Sequence, residues 1–483
     1  MPDILQAQPP DRWRLADPGI AWDIPDGARL PHQDHVEMSG RQVSLIARYE
    51  LAPNRELRLV RRIYWPTLRG RADDVRGYLR REFDGLFEPA VLLDGIEDRG
   101  CTARVERILF DGVLTFEHVP HNGLQLTRRL FPCIDQPAVV EQWTFTNLAA
   151  QPRRLALAGV QWRQGSGGVY GAYELTVSHA AAEVLLSPGA TFTSATTFAA
   201  RRCDRPAVAV SVDAALADRR GRCRALRDSL RLETPDPVLN RCFAFACQRT
   251  GETLFDTKMG LVHSPAGNSY YGGVWANDQV EYAGPVFPFL GDADANLAAL
   301  NAYRIFARAM TPEYKPIPSS FEVEGDMAWT QCGDRGDAAM YLYGCSRYLL
   351  ARGDRALAAE LWPAVAWCAE YCRRRTNADG VVASDTDELE GRFPAGKANL
   401  CTSTLAYGGL RAAAALARGL GKAEVAAEFD CRAAALEAAI ERYFGAEVEG
   451  FATYRYYDGG TLLRSWICLP LTMDIFRRAK GTI

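Results

Sequence analysis

The sequence predicts a multidomain protein of mixed β and α class, with an antiparallel β-sandwich over residues 35–232 and packed helices from residue 235 to residue 483. Three observations carry this. The chain is 483 residues long, more than one hydrophobic core usually organises. Up to about Leu232 apolar residues recur with a period of two, and beyond Pro235 with a period of about three and a half.

Residues 1–34 form an N-terminal extension without a basic segment, an apolar core or a small-residue cleavage site, so no secretory leader is read there. In the sandwich, ELRLVRRIYWP places Leu57, Leu59, Ile63 and Trp65 on one face, and QWTFTN does the same with Trp143 and Phe145. Between VERILF and VLTFEHV, Asp111-Gly112 predicts a two-residue hairpin, because both residue types tolerate φ > 0. In the second half, Phe243, Cys247 and Leu254 line one helix and Leu357, Leu361, Val365, Cys368 and Cys372 a second. Val425, Phe429, Leu436, Ile440 and Tyr443 line a third, and shorter patterns bring the number to seven or eight. Short links such as Arg352-Gly353-Asp354 alternate with long loops, where function concentrates.

Composition excludes several classes. Hydrophobic residues make up 48% and charged residues 24%, as in ordinary globular domains. The net charge of −3 is spread along the chain, and without a basic stripe nucleic acid is not an expected partner. No apolar run is long enough to span a bilayer, and a cytoplasmic location is expected. Thirteen scattered cysteines read as buried apolar residues; Cys368 and Cys372 share a helical face, but no second Cys or His pair stands near to complete a metal site. No metal and no cofactor are predicted, and oligomeric state is not readable.

The chemistry must come from other side chains. No histidine follows His263, which removes Ser-His and Cys-His systems from the later loops, and no glycine-rich phosphate loop is present. Carboxylates remain: Asp278 and Glu281; Glu322, Glu324 and Asp326; Asp334 and Asp337; Asp385, Asp387, Glu388 and Glu390. Most loop acids are solvated or cap helices, as Asp337 before Ala338-Ala339-Met340 can. The rings of Tyr270, Tyr271, Trp275 and Trp329 in the same loops distinguish these acids, unless the tryptophans pack at the domain junction. Flat rings stack on the C–H faces of pyranoses, carboxylates and arginine bind ring hydroxyls, and glycoside cleavage needs two carboxyl groups. The expected partner is therefore a carbohydrate.

With a sandwich followed by helices, and with loops reading GGVWANDQ and SDTDELEGRFPAGKANLCTSTLAYGGL, the chain resembles the six-hairpin glycosidases, such as glucoamylase and the glucosidase parts of glycogen-debranching enzymes. The resemblance covers residues 35–483 and implies an (α/α)6-type helical toroid in the second half. It implies that Trp275 and Asp278 match the Trp-x-x-Asp that contacts sugar, although Asn277 stands where arginine is usual. It places the general acid in Asp385-Thr386-Asp387-Glu388, with Glu388 favoured and Asp387 close behind, and makes Asp334 and Arg335 substrate contacts. A complete toroid has twelve helices. Truncation at the C-terminus is therefore expected, with a general base beyond residue 483 and with Trp466, Ile467, Leu469, Leu471, Ile475 and Phe476 short of packing partners.

These readings make the chain a glycoside hydrolase. A sugar phosphorylase needs the same acid but a phosphate site, a sugar epimerase on this toroid would need histidines the helical half lacks, and a binding protein would keep the rings without the acids.

Overall fold

The computed structural model describes residues 12–25, 27–265 and 271–475. Among them the chain divides into two compact units, one ending at Asp256 and the other starting at Thr257.

The first unit is built on a nine-stranded sheet whose paired strands all run antiparallel. Its strand Ala138–Asn147 shows why the sheet is covered on both faces. Val139, Trp143 and Phe145 point one way, into cores shared with two four-stranded sheets through residues such as Leu45, Ile63, Trp65, Leu93 and Leu155. Ala138 and Val140 point the other way, onto Ala215 of helix α1, Val212–Ser229. Alternation of this kind is the period-two pattern, and each such buried large side chain is worth roughly 1.5–3 kcal/mol.

Four sequence expectations change here. Residues Arg14–Leu15 and Ile20–Asp23 join the large sheet, so residues 1–34 are not wholly an extension. Helix α1 and helix α2, Pro237–Thr250, belong to this first unit, so helix begins before Pro235 and the unit runs past residue 232. Leu254 lies in a strand, Leu254–Thr257, beyond the end of α2. The hairpin at Asp111-Gly112 has three residues, since Phe110 pairs with Leu114. Gly112 has φ +101°, while the Asp111 side chain accepts a hydrogen bond from the Val113 amide at 3.0 Å, and that bond sets the longer turn.

An inward position of the first unit also holds a charge. Arg61 is fully buried, with Nη2 at 2.6 Å from Glu88 and 2.7 Å from Glu141, and Arg128 closes the same cluster with Nε at 2.7 Å from Glu141. The two guanidinium groups hold the Glu88 carboxyl down at about 2 against its own burial.

The second unit is helical. A π-helical turn, Ala276–Ala283, leads into α3, Gly284–Leu290, which a two-residue link joins to α4, Ala293–Arg308. Next come α5, Asp337–Arg352, with α6, Arg355–Arg374, and then α7, Leu400–Gly419, with α8, Ala423–Phe444. These make three helical hairpins among the described residues. Helices α3, α5 and α7 pack on one another in succession, and α5 and α7 are buried on most of their surface. Helices α4, α6 and α8 lie outside them and keep an exposed face. Cys368 and Cys372 are buried in α6, and all thirteen cysteines are free.

Near the chain end, Ile475 is buried, Trp466, Ile467, Leu469 and Leu471 are half-buried, and Phe476 lies outside the described residues. No helix among the described residues is long and apolar enough to cross a membrane.

Candidate active site

Among the described residues, the acids and rings named from the sequence lie at the N-terminal ends of the inner helices α3, α5 and α7, or in the loops just before them.

Before α3, strand Gly273–Trp275 turns into the π-helical segment, closed by the Gly284 amide donating to the Gln279 carbonyl five residues back. Pro285 has no N–H to offer the carbonyl of Glu281, which removes an ordinary α-helical bond at this point. Gln279 caps the turn by accepting from the Trp275 amide at 2.5 Å, and its amide lies 3.3 Å from His263 Nδ1. The segment carries Asp278, half-buried, Glu281, buried, and Tyr282, exposed. Burial pushes the Asp278 carboxyl up, against the pull of Arg335.

Trp275 and Trp329 stand in one row of a three-stranded sheet. Trp275 pairs with Ser320 and Ser320 with Trp329, so the two rings share a face with the serine between them. Tyr271 packs edge-on against Trp275 with ring centres 5.5 Å apart, and Tyr270 lies outside the described residues.

Before α5, Asp334 and Arg335 are both almost fully buried. Asp334 accepts from the Tyr371 hydroxyl at 2.8 Å and the Gly336 amide at 2.9 Å, and lies 3.2 Å from Arg375. Arg335 holds Asp337 at 2.6 Å and donates to the carbonyls of Ser319 and Glu388 at 3.3 Å, with Glu390 at 3.4 Å. It ties three loops together. Gly336, at φ +87°, is required here because a β-carbon would stand 2.4 Å from the Thr402 hydroxyl.

The loop before α7 holds Asp387 and Glu388 in different surroundings. Asp387 is fully buried, accepts from the Tyr456 hydroxyl at 2.9 Å and from Arg464 at 3.2 Å, and shapes its own turn by accepting from the Leu389 amide. Arg464 in turn stacks on Tyr456, 4.3 Å from the ring centre. Glu388 is 7% exposed. Its two oxygens accept from the Tyr282 hydroxyl at 3.0 and 2.9 Å, and the Cys401 thiol donates to one of them at 3.2 Å. Burial raises the Glu388 carboxyl above its usual range, Asp278 adds to the rise, and the two hydrogen bonds and Arg335 oppose it.

Two residues at the site were not among the sequence candidates, Tyr282 and Trp466, and Glu281 was named only among the loop acids. Glu281 is buried, and its carboxyl is raised far above the usual range by burial first and by the charge of Glu388 second. Tyr282 bridges to Glu388, and the Trp466 indole N–H donates to Tyr282 at 3.4 Å. The one sequence signal was the adjacency of Glu281-Tyr282 to Asp278 in the same loop.

No protein-family model matches the chain, and no curated protein matches its sequence. In fold it is similar to a solved structure of a putative kojibiose phosphorylase from the human microbiome, with 10% identity, a TM-score of 0.51, and 89% of this chain covering 71% of that one. A bacterial glucoamylase complexed with acarbose is 12% identical over the same shares, with a TM-score of 0.41. The chain thus shares with the phosphorylase structure a fold of antiparallel sheets followed by a helical part, the order the sequence implies.

Proposed function

We propose that this chain is a carbohydrate-active enzyme that cleaves a glycosidic bond, with Glu388 as the general acid. The observation that carries the reading is the environment of Glu388: 7% exposed, held by Tyr282 and Cys401, and raised so that it keeps a proton to higher pH than an ordinary glutamate. A protonated carboxyl can give its proton to the leaving-group oxygen as the bond to the anomeric carbon breaks. Trp275 and Trp329 supply flat apolar faces for a sugar ring, with Tyr271 behind Trp275, and Asp278 supplies an acceptor for its hydroxyls. Asp334, Arg335 and Asp387 act by holding the loops, because each is buried and bonded to protein.

Hydrolysis is the first reading. Phosphorolysis is the second, supported by the fold likeness to a putative kojibiose phosphorylase. The test is to incubate the purified chain with a panel of α- and β-linked disaccharides, with and without inorganic phosphate, and to assay for free sugar and sugar phosphate. Free sugar without phosphate supports hydrolysis, and phosphate-dependent sugar phosphate supports phosphorolysis. Sugar binding with no product in either arm would overturn the enzymatic reading.

A further inference from the structure

The segment Arg464–Trp466 grips the acid loop on either side of Glu388 in sequence. Arg464 donates to Asp387 at 3.2 Å and to the Pro394 carbonyl at 3.1 Å, and lies 4.3 Å from the ring centre of Tyr456. Trp466 stacks on the same Tyr456 ring with centres 6.0 Å apart, and its indole N–H donates to the Tyr282 oxygen at 3.4 Å. An indole N–H can only donate, and a phenol carries one proton. With its oxygen accepting from Trp466, Tyr282 directs its own O–H at Glu388, 3.0 Å from Oε1 and 2.9 Å from Oε2. The two oxygens differ in one respect among the described residues: the Cys401 thiol donates to Oε1, at 3.2 Å, and not to Oε2. A neutral carboxyl carries its proton on the oxygen with fewer donors aimed at it, which is Oε2, and leaves Oε1 to accept from Tyr282 and Cys401.

We propose that Trp466 is a positioning residue for the acid: its N–H turns the Tyr282 hydroxyl onto Glu388 and so holds the carboxyl with Oε2 as the oxygen that delivers the proton. In the cleavage step the proton leaves Oε2 for the glycosidic oxygen, which takes the electron pair of its broken bond to the anomeric carbon, and Glu388 becomes a carboxylate. The Tyr282 O–H, nearly equidistant from both oxygens, bonds to that carboxylate in place, and the Trp466 N–H strengthens the bond by polarising the phenol. Trp466 thus favours the ionised form of Glu388, against the burial that raises it. The other groups facing Glu388 come from three elements. Asp278 of the π-helical turn favours protonation, and Glu281 of the same turn feels the Glu388 charge. Arg335 before α5 and the Cys401 thiol of α7 favour ionisation.

This inference rests on the reading of Glu388 as the proton donor, and two readouts separate the claims. The first is a carbon-13 NMR titration of the glutamate carboxyls in the full chain, which needs no turnover; the Glu388 signal is the one lost in Glu388→Gln. Tyr282→Phe removes a donor to ionised Glu388 and should raise its titration midpoint by about one pH unit. Trp466→Phe keeps a ring against Tyr456 but removes the N–H, and should raise the midpoint by roughly a few tenths of a unit, the scale on which one hydrogen bond strengthens the next. Added to Tyr282→Phe, it should raise it no further, because the link it acts through is gone. Replacing Trp466 by 3-benzothienylalanine, in which sulfur stands for the N–H in a ring of the same size, should reproduce the Trp466→Phe shift and serves if that variant folds poorly. An unmoved midpoint in both Trp466 variants, or a shift that persists in the Tyr282→Phe background, overturns the proposal. The second readout is the alkaline limb of kcat/KM, which should move with the Glu388 midpoint in each variant. If the midpoint moves as stated and the limb stays, the link from Trp466 stands and only the role of Glu388 toward sugar falls.

Discussion

Gly344 of α5 runs directly against the carbonyl oxygen of Val280, so that a β-carbon at Gly344 would stand 1.9 Å from it. This contact fixes the distance between α5 and the π-helical turn that carries Asp278, Glu281 and Tyr282. Gly344→Ala should force the two apart and destabilise the chain by about 1–3 kcal/mol, as overpacking does. Urea unfolding would show a lower midpoint at unchanged slope, and an unchanged midpoint would contradict the geometry.

For Glu388→Gln, the loss should depend on the leaving group. With a sugar leaving group turnover should fall roughly a hundredfold or more, the usual worth of a general acid. With an activated aryl glycoside the fall should be much smaller, because the phenolate leaves without a proton. Near-wild-type rates on both substrates would remove Glu388 from the mechanism.

Asp387→Asn should behave differently. The change weakens the anchor to Tyr456 and Arg464, at a cost of about 1–3 kcal/mol for a buried partner left poorly bonded. Any rate loss should then be the same for aryl and sugar leaving groups. A loss confined to sugar leaving groups would make Asp387 the acid.

Trp275→Ala and Trp329→Ala should each raise KM by roughly two- to tenfold with a smaller effect on kcat, the scale of one lost ring contact at 0.5–1.5 kcal/mol. Unchanged KM in both variants would return the two rings to a packing role.

In the first unit, His118 is fully buried and lowered to about 3, by burial first and by the Arg128 charge second. Unfolded, it binds a proton near 6.5. The unfolded chain therefore holds more protons than the folded one between those values. Stability contributed by neutral His118 is full above about 6.5 and is lost as pH falls toward 3, with a slope of up to about 1.4 kcal/mol per pH unit. His118→Gln should flatten that part of the stability curve measured by urea unfolding, and an unchanged slope would show that His118 is not the group responsible.

Much of the architecture could be read in advance because it rests on local pattern. Leu59, Ile63, Trp65, Trp143 and Phe145 all fall on buried positions of strands, since period two is a property of the extended backbone itself. Leu361, Val365, Cys368 and Cys372 line the buried side of α6 for the corresponding reason in a helix. The sequence also placed Asp278, Asp334, Arg335 and Glu388 in the segments that precede the inner helices.

What each of those residues does was decided only by tertiary structure. Arg61 is a charged residue within a strand and is buried, because Glu88 and Glu141, distant in sequence, neutralise it. Asp387 and Glu388 are neighbours with nearly the same chemistry, yet Tyr456 and Arg464 hold one as a loop anchor while burial raises the other against its hydrogen bonds from Tyr282 and Cys401. By itself the sequence determined the change from strand to helix over most of the chain, though not the helix Val212–Ser229 or the strand at Leu254, and that carboxylates gather in the loops. Desolvation and hydrogen bonding depend on partners 53 to 106 residues away, such as Arg335 and Tyr282 around Glu388, and only folding brings those partners together.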